Sequence, residues 1–245
     1  MARLGGRRKQ APEVDELGGR SDGALAILTP DRKQIHFAPA RVTSALRFVL
    51  ARVQMQEGLP SRLALTAALK GEGVTYVTRT LGALIAYDTD ARVAVLDLNW
   101  RRPKERTEDA DTRPSLVDAI ERDVSVDEIL QPTANPRLFL VDAGEVAPSR
   151  RPALAATRKL EIVLDELESR FDHMLMDLPP VLASSDAISL AQLADAYALV
   201  VRQGAATTNQ IDTALEELRG TETIGVILNR VESKVPRRLR RLLGA

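Results

Sequence analysis

The sequence predicts an α/β protein: a doubly wound, mostly parallel sheet with helices on both faces, in three layers. Three observations predict it. Short apolar runs of strand length recur along the chain, segments with helical apolar spacing separate them, and a glycine loop stands between the first core strand and the next helix. Strands joined through helices cross over right-handed and lie parallel, so ligands sit beyond their carboxyl ends.

Residues 1 to about 23 are rich in Gly, Arg and acidic side chains without apolar periodicity, which predicts a mobile arm. The main domain is expected over residues 24–232. Val42, Leu46, Val49, Leu50 and Val53 recur at helical spacing and stop near Gly58 and Pro60, so a helix precedes the first core strand, "RLALTAA" from Arg62. The glycine loop follows, then a helix through Leu81, Leu84 and Ile85. "RVAVLDL" (92–98) is an apolar run of the kind a parallel sheet buries on both faces. Further strands are expected at "RLFLVDAG", "FDHMLMDLPP", "AYALVVRQG" and "TIGVILNR", with a helix carrying Leu160, Val163, Leu164 and Leu167 before the second of them. The charged segment from Lys104 to Arg113 reads as a solvated loop. Residues 233–245 form a basic tail, whose Arg237, Arg238, Arg240 and Arg241 around Leu239 and Leu242 read as a frayed, solvated ending, with a membrane-facing amphipathic turn as the alternative.

Composition narrows the function. A chain of 245 residues with 44% hydrophobic side chains can bury one substantial core. Lys plus Arg and Asp plus Glu both number 34, so no global field draws it to nucleic acid, and none is expected as a partner. The absence of cysteine excludes disulfides, iron–sulfur clusters and thiol catalysis. His36 and His173 lack metal-ligand spacing and read as surface or packing residues. No signal peptide or membrane span is seen, and a cytoplasmic protein is expected.

The loop itself runs Ala68, Leu69, Lys70, Gly71, Glu72, Gly73, Val74, Thr75. A phosphate-binding P-loop needs glycines that let backbone N–H groups turn onto phosphate oxygens, a helix behind them, a lysine for the outer phosphates and a Ser or Thr for Mg²⁺. Set on that pattern, Gly73 and Thr75 keep the second glycine and the hydroxyl. Ala68 replaces the first glycine and Val74 the lysine. Asp97 and Asp177 end two of the strands, where carboxylates that coordinate magnesium or activate a water would stand. Either alone reads as a turn residue; together, beside a glycine loop, they favour a nucleotide site or its descendant.

In order and spacing, "ALTAALKGEGVTYVTRTLGALIA", "ARVAVLDLNWRRP", "FDHMLMDLPPVLASSDAISLAQLADAYALVVRQGAATTNQI" and "IGVILNRV" resemble the catalytic domain of the bacterial tyrosine kinases (BY-kinases) of capsular and exopolysaccharide biosynthesis. These belong to the deviant P-loop ATPases, with a P-loop NTPase-like, Rossmann-type sandwich. The resemblance implies ATP and Mg²⁺ as cofactors, though with weak or absent binding here. It assigns Lys70, Gly71, Glu72, Gly73, Thr75 and Asn229 to the nucleotide, Thr75, Asp97 and Asp177 to the metal, and catalysis to Asp97 and Asp177 in an active enzyme. Asn99 falls on the family's additional acidic motif. The implied partner is the cytosolic part of a membrane chain-length or co-polymerase protein, with recruitment to the inner face of the membrane; a homologous kinase subunit is a second.

Departures from the family shape the functional expectation. Val74 removes the loop cation, Asn99 an acid, and Tyr76 stands where a second loop hydroxyl is usual. Of the positions matching the family's oligomerisation helix, Arg41, Ser44 and Arg47, only Arg47 agrees. The ending "ESKVPRRLRRLLGA" has no tyrosine, and Tyr197 falls within an expected strand. A pseudokinase with little or no ATP turnover follows. The alternatives are an active kinase or ATPase using Lys70 as a relocated lysine, and a partitioning or septum-positioning type of ATPase.

Overall fold

A computed structural model describes residues 14–56, 58–100 and 113–231. The charged segment 104–112, Arg101, Arg102 and the basic tail lie outside them. A seven-stranded sheet forms the middle layer, ordered β5(Leu130–Pro132), β6(Leu138–Val141), β4(Val93–Asp97), β7(His173–Asp177), β3(Arg62–Thr66), β8(Ala196–Arg202) and β9(Glu222–Asn229). All neighbours are parallel except β5 against β6, so the expected doubly wound sheet is present.

Alternation along the strands builds two cores. Leu63, Leu65, Val93, Val95, Leu175 and Val200 point to one face, where α1(Ala40–Gln56) and α2(Val74–Asp88) cover them. Ala64, Leu96, Met174, Met176, Leu199 and Val201 point to the other, under α3(Leu116–Arg122), α6(Arg158–Glu168), α7(Asp186–Ala191) and α8(Thr208–Glu217). A run buried on both faces is apolar at every position, which is why these strands read continuously rather than alternately. Tyr197 on β8 is buried, so its phenol is enclosed by the fold.

Two features differ from the sequence reading. Residues 14–23, expected as the end of a mobile arm, form a turn that Asp15 organises through its bond to the Gly19 amide, 2.7 Å, and Tyr87 on α2 donates to the same carboxylate at 2.7 Å. The turn leads into an antiparallel hairpin, β1(Leu25–Leu28) and β2(Gln34–Ala38), which the sequence reading lacked. Leu25 and Ile27 on β1 pack against the α1 and α2 side of the core. Arg47 on α1, the one match to the oligomerisation helix, forks onto Asp88 at the end of α2, at 2.7 and 2.9 Å.

Candidate functional site

The carboxyl ends of β3, β4 and β7 open onto a cavity of about 690 Å³. Its floor is the loop between β3 and α2. Gly71 and Gly73 have φ of 85° and 98°, conformations an L side chain resists, and they turn the backbone so that α2 begins at position 74. Among the described residues no side chain caps α2, and its first turn faces the cavity through Val74, Thr75 and Tyr76. A helix start that presents open N–H groups and the positive end of its dipole favours an anion.

Lys70, Gly71, Glu72, Gly73 and Thr75 all line this cavity, as does Asn99. Lys70 is exposed on the loop's outer turn yet borders the opening. Val74 is half-buried, packing against the α1 and α2 side of the core. Glu72 lies inside the loop with 1% exposure, and burial pushes its carboxyl above the usual carboxylate range. Its Oε2 accepts from the Arg202 amide at 3.3 Å.

Three predicted residues stand apart. Asn229 is not among the cavity-lining residues; its Nδ2 donates to the Glu72 carbonyl at 2.8 Å and its Oδ1 accepts from the Arg230 amide at 2.9 Å. It braces the glycine loop from the end of β9. Asp97 and Asp177 are register partners on β4 and β7, and both line a neighbouring pocket of about 50 Å³ with Asp142. Asp97 also accepts from the Asn99 amide at 2.9 Å, the turn-closing bond that an Asp at a strand end makes. Arg79 on α2 borders both spaces. Among the described residues no three His, Asp or Glu side chains gather closely enough to hold a metal ion. Magnesium here would rest on the Thr75 hydroxyl, a carboxylate at these strand ends and the oxygens of a bound phosphate.

Sequence reading missed the cavity's other cations. Arg79, Arg151 and Arg230 line it with Lys70, while Glu72 is the single acid among the described lining residues. Arg79 lies four positions beyond Thr75 and so returns to the same helix face, a spacing legible in sequence. Arg151 and Arg230 come from distant segments with no motif. The chemistry of this wall, two left-handed glycines, an uncapped helix start and four cations, fits the phosphates of a nucleotide.

His36 also borders the cavity. Its ring lies 4.9 Å from that of Tyr76, and its Nε2 meets the Thr80 hydroxyl at 2.8 Å. Burial first, and the charge of Arg79 second, pull its pKa down from 6.5 to about 4. The neutral ring therefore belongs to the folded state. Below about pH 6.5 the unfolded chain takes up a proton that the fold refuses, so the stability that His36 contributes is lost as pH falls towards 4. In His36→Gln, the stability measured by urea titration should fall less steeply over that interval than in the parent; equal slopes would refute the assignment.

No family model matches the sequence. The chain is 25% identical over 229 residues to the tyrosine-protein kinase Ptk of Acinetobacter johnsonii, covering 92% of this chain and 29% of that protein. To the tyrosine-protein kinase CpsD of Streptococcus agalactiae it is 26% identical over 183 residues, 71% of this chain and 76% of that one. The chain thus spans under a third of the length of the first relative and about three quarters of the second. Among solved structures, the kinase domain of the Escherichia coli tyrosine kinase ETK superposes with a TM-score of 0.69 at 24% identity, over 82% of this chain and 80% of that domain. The homologues of this chain are bacterial tyrosine-protein kinases, and its fold is the P-loop fold of their kinase domains.

Proposed function

We propose that the protein is a BY-kinase-like regulator of capsular or exopolysaccharide assembly, a pseudokinase that turns over ATP weakly or not at all. The observation that carries this reading is Val74, an aliphatic side chain at the head of α2 in a cavity otherwise built for phosphates. Phosphoryl transfer depends almost wholly on positioned positive charge against the charge that develops on the transferred group. Position 74 offers none. A bound nucleotide would supply the phosphoryl group; the chain's own part is to cradle it with the loop amides and the Thr75 hydroxyl. The domain of residues 24–232 would work in the cytoplasm, docked on the cytosolic part of a membrane chain-length or co-polymerase protein at the inner face of the membrane. Among the described residues no helix is long and apolar enough to cross a membrane.

Lys70 favours a second reading, an active kinase or ATPase with a relocated lysine, because it borders the cavity. Its exposure on the outer turn weighs against that. Co-expression with the candidate partner, followed by phosphotyrosine blotting and a phosphate-release assay, separates the two. The pseudokinase reading expects no signal above that of Asp177→Asn. Phosphotyrosine that disappears in Lys70→Ala would establish the active enzyme instead.

A further inference from the structure

We propose that Arg151 is the side chain that grips the outer phosphates of a polyphosphate ligand, taking over the charge that position 74 lacks. The proposal rests on reading the cavity as a nucleotide site and goes beyond it by naming the residue that holds the ligand. Arg151 opens α5(Arg151–Ala155), on the far wall from the glycine loop in sequence, and it lines the same cavity. Its Nε donates to the Val146 carbonyl at 3.1 Å. That bond anchors the guanidinium plane at its root. Among the described residues, Nη1 and Nη2 make neither a hydrogen bond nor an ion pair.

An arginine held in this way is a preorganised fork. Two parallel N–H groups match two oxygens of a phosphate, and part of the side-chain entropy has already been given up in the anchor. Neighbouring residues divide the task differently. Arg230 is exposed beyond β9, and Lys70 is exposed on the outer turn, so both add field without a fixed geometry. Arg79 reaches the pocket that holds Asp97, Asp142 and Asp177, whose negative charge offsets its own. Among the described residues Arg151 makes no ion pair with a carboxylate. The fork therefore favours a ligand with two or more linked phosphates over a monophosphate, because a single phosphate seated on the α2 start leaves it unfilled.

Isothermal titration with ADP, ATP and sodium tripolyphosphate, repeated with AMP, tests this, and the fluorescence of Trp100, which follows the cavity residue Asn99, gives a second readout. The parent protein is expected to bind ATP and tripolyphosphate at least tenfold more tightly than AMP. In Arg151→Gln that preference should fall about tenfold or more while AMP binding stays unchanged. Arg151→Lys, which keeps the charge and loses the fork, should fall between them. Thermal melting without ligand checks that the variants are folded; if Arg151→Gln melts early, the Lys variant decides. Equal tripolyphosphate affinity in the parent and a folded Arg151 variant would overturn the proposal, as would a parent that binds no polyphosphate. Phosphate release by the parent would instead overturn the pseudokinase reading and leave this comparison intact.

Discussion

Lysine placed at position 74 is expected to tighten magnesium–ATP binding by about one to two powers of ten. A hydrogen bond to a charged group contributes roughly 1.5 to 3 kcal/mol, and each tenfold in affinity corresponds to about 1.4 kcal/mol. Position 74 is the first residue of α2 and borders the cavity, so an ammonium carried there would reach the phosphates held by the open helix start. Two effects oppose the gain. A cation at a helix N-terminus is unfavourable by about 0.3 to 1 kcal/mol, and Val74 gives up its packing against the core under α1 and α2. The first lowers the stability of the free protein, and a bound phosphate reverses it; the second is softened because a lysine stem covers apolar surface. Binding should therefore gain while the unliganded melting temperature drops slightly. Arg151 sharpens the test. If it already holds the outer phosphates, Val74→Lys should bring a larger gain in an Arg151→Gln background than in the parent, since the two cations share one ligand. Titration calorimetry on the four proteins measures both terms. An unchanged affinity in Val74→Lys would mean that position 74 does not face the phosphates, and the reading of the loop would fall with it.

How far the sequence reached follows from what each part of the fold depends on. The buried strands were legible because burial on both faces makes every residue of "LAL", "VAVL" and "MLM" apolar, and the amphipathic α6 was legible because one face alone must be. The β1–β2 hairpin was not. Its second strand is fully buried only at Ala38 and has no continuous apolar run, and the hairpin's order comes from packing on α1 and α2. The same division holds at the site. Gly71, Gly73 and Thr75 lie in one contiguous loop and carry a local pattern. Arg151 and Arg230 reach the cavity from segments about 75 and 160 residues away, and only the sheet order brings them there. Asn229 reads from the sequence as a nucleotide contact, whereas its side chain holds the Glu72 carbonyl, since a strand-end amide can equally face a ligand or brace a backbone.

That bracing role makes the two left-handed glycines unequal, and alanine at each should show it. Gly71→Ala and Gly73→Ala both force an L residue to positive φ, which costs about 1 to 2 kcal/mol, and both gain the same small unfolded-state entropy term, so these contributions cancel in the comparison. Space does not cancel. A Cβ at Gly71 meets nothing within 4 Å, whereas one at Gly73 overlaps the Asn229 side-chain nitrogen. That nitrogen donates to the Glu72 carbonyl, so relieving the overlap breaks a bond worth roughly 0.5 to 1.5 kcal/mol. Gly73→Ala should therefore lose about 1.5 to 3.5 kcal/mol and melt several degrees lower, against about 1 to 2 kcal/mol for Gly71→Ala. Removing the obstacle supplies the control. In an Asn229→Ala background the bond is already gone and the space is open, so the further loss on adding Gly73→Ala should shrink to that of Gly71→Ala. Chemical denaturation of the parent and the four variants reads these differences directly. Should Gly71→Ala prove the more damaging, or Asn229→Ala leave the Gly73 penalty undiminished, the strand-end amide would not be what holds the glycine loop in shape.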